Sequence, residues 1–161
     1  MSLSLKDVKL KLNLKNFSIE LNTDNPNILF NNKKIKLNIN RLLNENEPII
    51  KYKEELIYGI GIIIQNAIQF AKKIIIINIS WTELNMIIEI IDDGKGFSRE
   101  ILDKIGSPHI SSSKKSGMGL GIFIAINLIE NIDGKILFKN NKNSNGSTVK
   151  IQLNRDILKY E

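Results

Sequence analysis

Hydrophobic residues between Glu54 and Lys72 recur at intervals of three and four positions. This spacing places them on one face of an α-helix, so the pattern predicts an amphipathic helix with one buried side. A second long helix is predicted over 122–131, and a shorter one over 98–105 with Ser98 as its N-cap. The residues of the first apolar face are Leu56, Ile60, Ile63, Ile64, Ala67, Ile68 and Ala71.

Eight segments have the β-branched composition or the alternation that is typical of strands. The runs 74–80 and 86–91 are separated by WTELN and predict an antiparallel hairpin. Residues 135–139 and 147–153 predict a second hairpin around a turn rich in Asn, Gly and Ser. The remaining candidate strands are 8–14, 17–21, 34–39 and 48–52.

Composition narrows the class of protein. The 161 residues are 42% hydrophobic, which fits one domain with a real core. The absence of cysteine excludes a disulfide framework, a thiol nucleophile and a cysteine zinc site. The charge of +6 comes from 20 Lys and only 3 Arg, without a compact basic cluster, so nucleic-acid binding is not favoured. The start shows no signal-peptide pattern, and the longest apolar run is too short to span a membrane.

Three glycines, Gly117, Gly119 and Gly121, stand directly before the second long helix in the sequence SGMGLGIF. The first N–H groups of a helix are unpaired and attract anions, and glycines let a phosphate approach the backbone. A hinge for close packing is the alternative interpretation. The pattern lacks the Gly-Lys-Ser/Thr of a Walker A loop, and no strand leads directly into it as in a Rossmann fingerprint.

Two further features carry candidate chemistry. Asp92 to Phe97, DDGKGF, follow a predicted strand, where two glycines provide a flat backbone floor and an Asp carboxylate can accept a hydrogen bond from an amino group. An ordinary Asp-Gly turn is the alternative. Asn66 lies on the first predicted helix, where its amide oxygen is either solvated or a ligand for Mg²⁺.

The order of these elements resembles the N, G1, G2 and final glycine boxes of the GHKL ATPase superfamily. The resemblance covers about residues 34–155 and is closest to the ATP-binding domain of bacterial sensor histidine kinases. The stretches EELIYGIGIIIQNAIQFAKK and IGSPHISSSKKSGMGLGIFIAINLIE are similar to redox-responsive kinases of the RegB/PrrB type.

This resemblance implies a role for individual residues. Asn66 matches the catalytic-site Asn that binds Mg²⁺, Phe70 the position beside the nucleotide, and Asp92 the residue that recognises adenine. Gly94 and Gly96 match the glycines beneath the adenine ring. The implied phosphate-side residues are Gly117, Gly119, Leu120 and Gly121, with Lys114 or Lys115 as lid cations and Ser147 as a small hydroxyl residue near adenine.

The resemblance also implies a Bergerat fold, an α/β two-layer sandwich with a mixed, mostly antiparallel sheet and helices on one face. Residues 34–161 would form the ATP-binding domain and 1–33 an N-terminal extension. The implied cofactors are ATP and Mg²⁺. The implied partners are a histidine-containing dimerisation domain of the same protein and a response regulator, without nucleic acid or direct membrane contact. The segment would be the cytoplasmic part of an inner-membrane sensor kinase.

Three positions depart from the family pattern. Ile62 stands where relatives carry a polar residue, often Asn, and where hydrolytic relatives carry a Glu base. Gln69 stands where a cation is common. His109, the only histidine, follows Pro108 in a predicted loop and lacks the acid that follows a phosphoacceptor histidine. Ile62 therefore makes a non-catalytic nucleotide-binding module the first alternative function. A hydrolytic GHKL ATPase is the other alternative, and the missing Glu argues against it.

Overall fold

A computed structural model of the chain describes residues 2–3, 27–30, 33–42, 50–51, 53–105, 118–142 and 145–158. The strands within these residues are β1 (Ser2–Leu3), β2 (Asn27–Phe30), β3 (Lys33–Arg41), β4 (Ile50–Lys51), β5 (Ile74–Trp81), β6 (Asn85–Asp92), β7 (Lys135–Asn140) and β8 (Ser147–Asn154). The helices are α1 (Glu54–Phe70), α2 (Arg99–Lys104), α3 (Met118–Glu130) and α4 (Arg155–Leu158).

Six of the strands form one mixed sheet in the order β2-β3-β5-β6-β8-β7. The β3–β5 pair is parallel and every other pair in this sheet is antiparallel. The predicted hairpin of β5 and β6 is confirmed, as is the pairing of β7 with β8. Strand β2 adds a segment that lies within the predicted N-terminal extension. The predicted strands at 8–14 and 17–21 fall outside the described residues.

The core lies between one face of this sheet and the helices α1 and α3. Ile77, Ile90 and Val149 are direct neighbours across β5, β6 and β8, and all three are buried. The next row toward the other end, Ile88 beside Ile151, is buried in the same way. Burying this row of β-branched residues under two helices is the main apolar gain of the fold. The predicted two-layer α/β sandwich is therefore confirmed.

The two helix starts that the sequence predicts differ in outcome. Ser98 caps α2 as expected, because its Oγ accepts a hydrogen bond from the backbone N–H of Ile101 at 3.3 Å. Helix α3 begins at Met118 rather than at the predicted Ile122. Gly119 and Gly121 therefore lie inside the first turn of the helix and not in a loop before it. Glycine lowers helix propensity, but the apolar packing of the following turns outweighs that cost.

Candidate functional site

A pocket that is open to solvent lies where α1, the end of β6 and the start of β8 meet. The empty space there, including the adjoining solvent, is about 450 Å³. Five of the residues singled out from the sequence line it, namely Asn66, Phe70, Asp92, Gly96 and Ser147. The other lining residues are Ile63, Ala67, Ile90, Phe97, Ile122, Phe138 and Val149.

Asp92 supplies the carboxylate of the pocket and is only 7% exposed. Its Oδ1 accepts a hydrogen bond from the backbone N–H of Gly94 at 2.7 Å. Its Oδ2 accepts one from the Ser147 hydroxyl at 2.5 Å. These two donors fix the orientation of the carboxylate, and each oxygen keeps lone pairs for a further donor. At this point the pocket thus presents an oriented carboxylate acceptor among mostly apolar walls.

Two glycines allow the backbone around Asp92 to pack this closely. A Cβ on Gly94 would lie 2.4 Å from the carbonyl oxygen of Phe70, at the end of α1. Gly146 has a φ of +106°, and a Cβ there would lie 1.9 Å from the carbonyl oxygen of Asp92. Neither contact is possible for a side chain, so glycine is required at both positions.

Asn66 lies on the pocket side of α1 and is half-buried. Its Nδ2 donates a hydrogen bond to the carbonyl oxygen of Ile62 at 3.0 Å. Because a carbonyl can only accept, this contact fixes the orientation of the amide and leaves Oδ1 as the acceptor available to a ligand. An amide oxygen is a ligand that Mg²⁺ accepts. Among the described residues, no group of three or more His, Cys, Asp or Glu side chains could hold a metal by itself.

Aromatic rings form much of the pocket wall. Phe97 and Phe138 meet edge to face, with ring centroids 5.8 Å apart. The Phe70 ring also lines the pocket, and the ammonium of Lys95 lies 5.9 Å from its centroid. Flat apolar walls of this kind accommodate an aromatic ligand ring.

Two asparagines at the end of β7, which no sequence motif singles out, hold the loop between β6 and α2. Asn140 Oδ1 accepts from the backbone N–H of Phe97 at 2.7 Å, and its Nδ2 donates to the carbonyl oxygen of Phe97 at 2.8 Å. Asn141 Nδ2 donates to the carbonyl oxygen of Asp92 at 3.2 Å. Its Oδ1 accepts from the Thr148 hydroxyl at 2.7 Å. The only sequence signal was the Asn-Asn pair that follows a strand.

The carboxylate of Asp93 points to the turn that joins α1 to β5. Burial pushes the pKa of Asp93 upward, but hydrogen bonds from the backbone N–H groups of Lys73, Ile74 and Lys72 outweigh burial and lower the pKa. Since its pKa is lowered in the folded protein, Asp93 contributes stability that is present above the usual pKa of aspartate and is lost as the pH falls below it.

The residues predicted for the phosphate side are placed less completely. Gly119, Leu120 and Gly121 form the first turn of α3, where backbone N–H groups have no intrahelical acceptor. A Cβ on Gly121 would lie 3.7 Å from Asn66 Nδ2, so this turn adjoins the pocket. Leu120 is exposed and does not line the pocket. Lys114, Lys115, Gly117 and His109 lie outside the described residues.

Comparison with known proteins agrees with this architecture. The sequence profile of the family "Histidine kinase-, DNA gyrase B-, and HSP90-like ATPase" matches residues 53–157. The sensor histidine kinase RegB of Cereibacter sphaeroides is 37% identical over 106 residues, which are 60% of this chain and 23% of RegB. The chain thus spans about a quarter of the length of this curated relative.

Solved structures of two histidine kinases share the fold. The catalytic domain of histidine kinase ThkA superposes with a TM-score of 0.59 and 20% identity over 74% of this chain and 78% of that one. The mycobacterial sensor histidine kinase MprB gives a TM-score of 0.61 and 14% identity over 74% and 83% of the two chains. In the part of the chain that the structure describes, no helix has the length and hydropathy needed to cross a membrane.

Proposed function

Because the chain belongs to the histidine kinase-, DNA gyrase B- and HSP90-like ATPase family, we propose that it is the ATP- and Mg²⁺-binding catalytic domain of a two-component sensor histidine kinase. It donates the γ-phosphoryl group of ATP to a histidine on a separate dimerisation domain of the same protein. The observation that carries the proposal is the pocket itself, where the buried Asp92 carboxylate faces an apolar, aromatic slot beside the Asn66 amide.

The pocket divides the recognition of ATP between its two ends. The Asp92 carboxylate accepts a hydrogen bond from the exocyclic amino group of adenine, and Ser147 keeps that carboxylate in place. Phe70 and the other apolar wall residues exclude water from the faces of the ring. This arrangement favours adenine over guanine, which carries an acceptor oxygen where adenine carries its amino group.

The phosphate end is formed by α1 and the first turn of α3. Asn66 Oδ1 is the protein ligand for Mg²⁺, which when bound neutralises charge on the phosphates. The N–H groups at the start of α3, including those of Gly119 and Gly121, attract the phosphate oxygens. Gly117, Lys114 and Lys115 complete this side from the polar loop that precedes α3. The protein's part in phosphoryl transfer is therefore positioning and charge stabilisation.

The chain outside the pocket fits the same assignment. We place the ATP-binding domain at 34–161, and the pairing of β2 with β3 supports adding the strand Asn27–Phe30 to it. The parent protein is a membrane sensor kinase with this segment in the cytoplasm. Its phosphorylated histidine passes the phosphoryl group to a response regulator. Because the chain is 37% identical to RegB over 106 residues, a kinase of the RegB type is the first candidate for the parent protein.

Transfer to an added acceptor tests the function directly. The chain incubated alone with radiolabelled ATP is expected to take up no acid-labile phosphate, because His109 lacks the acidic neighbour of a phosphoacceptor. Addition of a histidine-containing dimerisation domain from the same parent protein is expected to yield acid-labile phosphate on that domain only. Stable phosphate on His109 would contradict the assignment of this chain as one half of a kinase.

Ile62 favours a second candidate function, a degenerate nucleotide-binding module that regulates a partner. Its side chain offers no donor, acceptor or base, and it packs toward Gly121, with its Cγ2 3.4 Å from where a Cβ there would lie. The same residue argues against a hydrolytic ATPase, since no general base stands at this position. We therefore expect very slow ATP hydrolysis.

The variant Ile62→Asn is expected to raise the rate of phosphoryl transfer to the added acceptor by at most about 10–100-fold, the usual range for groups that orient a metal shell. The physical reason is that a polar side chain one turn before Asn66 can orient the amide or its bound water. A time course of transfer with both proteins measures this effect. Tight ATP binding without transfer from either protein would favour the degenerate module, and rapid hydrolysis by the unsubstituted chain would contradict the mechanism.

A further inference from the structure

The Asp93 side chain hydrogen-bonds the loop after β6 to the turn after α1, and both of these segments adjoin the pocket. Its Oδ1 accepts hydrogen bonds from the backbone N–H groups of Lys72 at 2.8 Å, Lys73 at 3.0 Å and Ile74 at 3.2 Å. Its Oδ2 accepts a second bond from Lys73 at 3.1 Å. Three consecutive backbone donors on one carboxylate are a strong, charge-assisted contact.

The position of these donors gives the contact its significance. They follow immediately after α1, the helix that carries Asn66 and Phe70. Asp93 itself is the residue after Asp92, so its backbone belongs to the loop on the opposite wall of the pocket. These hydrogen bonds therefore join the end of α1, which carries Asn66, to the start of the loop that follows Asp92.

A second contact shows how closely the loop after β6 packs against the end of α1. Gly94, the next residue of the loop, packs so closely against the carbonyl oxygen of Phe70 that a Cβ would lie 2.4 Å from it. Loss of the Asp93 hydrogen bonds would let this backbone contact open. Phe70 would then move away from the pocket, and Asn66, one turn earlier on the same helix, would move with it.

We propose that Asp93 is a positioning residue that holds α1 against the adenine-side loop, so that Asp92 and Asn66 engage the two ends of one nucleotide at the same time. The proposal rests on the proposed function, since it concerns the same pocket. Asp93 does not line the pocket, so its effect on a ligand passes through the elements that it joins.

The variants D93A and D93N separate positioning from charge. D93A removes every acceptor. D93N keeps an amide oxygen that can take the place of Oδ1, which accepts from all three N–H groups. It removes the charge and the second bond from Lys73, because the NH₂ group in the place of Oδ2 cannot accept. The matched control is D103N, which removes the same charge from an exposed carboxylate on α2.

The experiment measures the affinity of ADP by calorimetry with Mg²⁺ and with a chelator, at a temperature where circular dichroism shows each variant fully folded. We expect D93A to weaken Mg²⁺·ADP binding by about 10–100-fold and ADP binding without Mg²⁺ by less. Asn66 contributes to binding only through Mg²⁺, so its displacement costs affinity only when Mg²⁺ is present. D93N is expected to recover most of the affinity, and D103N to bind like the unsubstituted chain. Should D93A not fold, D93S, with a shorter acceptor, takes its place with the same expectation.

The other outcomes overturn the proposal in distinguishable ways. A folded D93A that binds Mg²⁺·ADP as the unsubstituted chain does would make Asp93 a merely structural staple. A D93N variant as weak as D93A would assign the effect to charge and not to positioning. An unsubstituted chain that binds ADP under neither condition would show the proposed function to be wrong, and the role of Asp93 would fall with it.

Discussion

Replacing Gly146 with alanine is expected to lower the thermal unfolding midpoint by roughly 6–12 °C and to abolish ATP binding. The left-handed φ of +106° costs an alanine about 1–3 kcal/mol. The new Cβ would also overlap the carbonyl oxygen of Asp92, and such overpacking costs about 1–3 kcal/mol more. The two costs together are about 2–6 kcal/mol, and a loss of about 3 kcal/mol, in the lower half of that range, corresponds to this shift of the midpoint in a chain of this size. The backbone of Asp92 must move to relieve the overlap, so the adenine-side carboxylate leaves its position.

Thermal unfolding followed by circular dichroism and calorimetric titration with ATP measure the two effects of Gly146→Ala. Gly121→Ala is the control for unfolding, because its Cβ would meet nothing closer than 3.4 Å and alanine favours the helix. The control is expected to unfold at the same temperature as the unsubstituted chain or slightly above it. A Gly146→Ala variant that unfolds no earlier than Gly121→Ala would contradict the packing described at the start of β8.

Asp92→Asn is expected to weaken ATP binding by roughly 10–150-fold and to remove the preference for ATP over GTP. The change replaces one carboxylate oxygen by an NH₂ group, which cannot accept from the adenine amino group or from the Ser147 hydroxyl. Losing a hydrogen bond to a charged group inside a pocket costs about 1.5–3 kcal/mol, which gives that range of affinities. The same NH₂ group can donate to the acceptor oxygen of guanine, so GTP binding is expected to fall less.

Parallel titrations with ATP and GTP in the presence of Mg²⁺ measure the change in selectivity. Asp103→Asn is the matched control, since it removes an equal charge at an exposed site on α2. Equal affinities for ATP and GTP in the unsubstituted chain would mean that Asp92 does not select adenine, whatever the variant does.

The sequence predicted most of the fold because its strongest patterns are local. The three- and four-residue spacing on α1 and the β-branched runs of β5 and β6 each specify an element without reference to the rest of the chain. The predicted start of α3 at Ile122 was wrong, because this boundary depends on tertiary packing and not on local pattern. Glycine is a weak helix former, so the sequence of Gly119 and Gly121 indicates a loop, whereas the packing of the apolar turns that follow extends the helix over them.

The candidate site was predictable only where a residue's type stands out in a motif. Asp92 and Asn66 belong to recognisable patterns, and the structure places both on the same pocket. Asn140 and Asn141 belong to none, because an asparagine after a strand is typical of any turn. Their contacts with Phe97 and Asp92 depend on where β7 lies relative to β6, which is tertiary information.

The strand order determines when this domain can form as the chain leaves the ribosome. Strand β8 lies between β6 and β7, so one edge of β6 is unpaired and β7 has no place in the sheet until Ser147–Asn154 have been synthesised. The Ser147 partner of Asp92 arrives 55 residues after it along the chain. Exposed strand edges pair with other chains, so a nascent chain that stalls after β7 presents the open edge of β6, an unpaired β7 and an incomplete pocket. Completion of the nucleotide pocket and coverage of the β6 edge are therefore one late event in the synthesis of this protein.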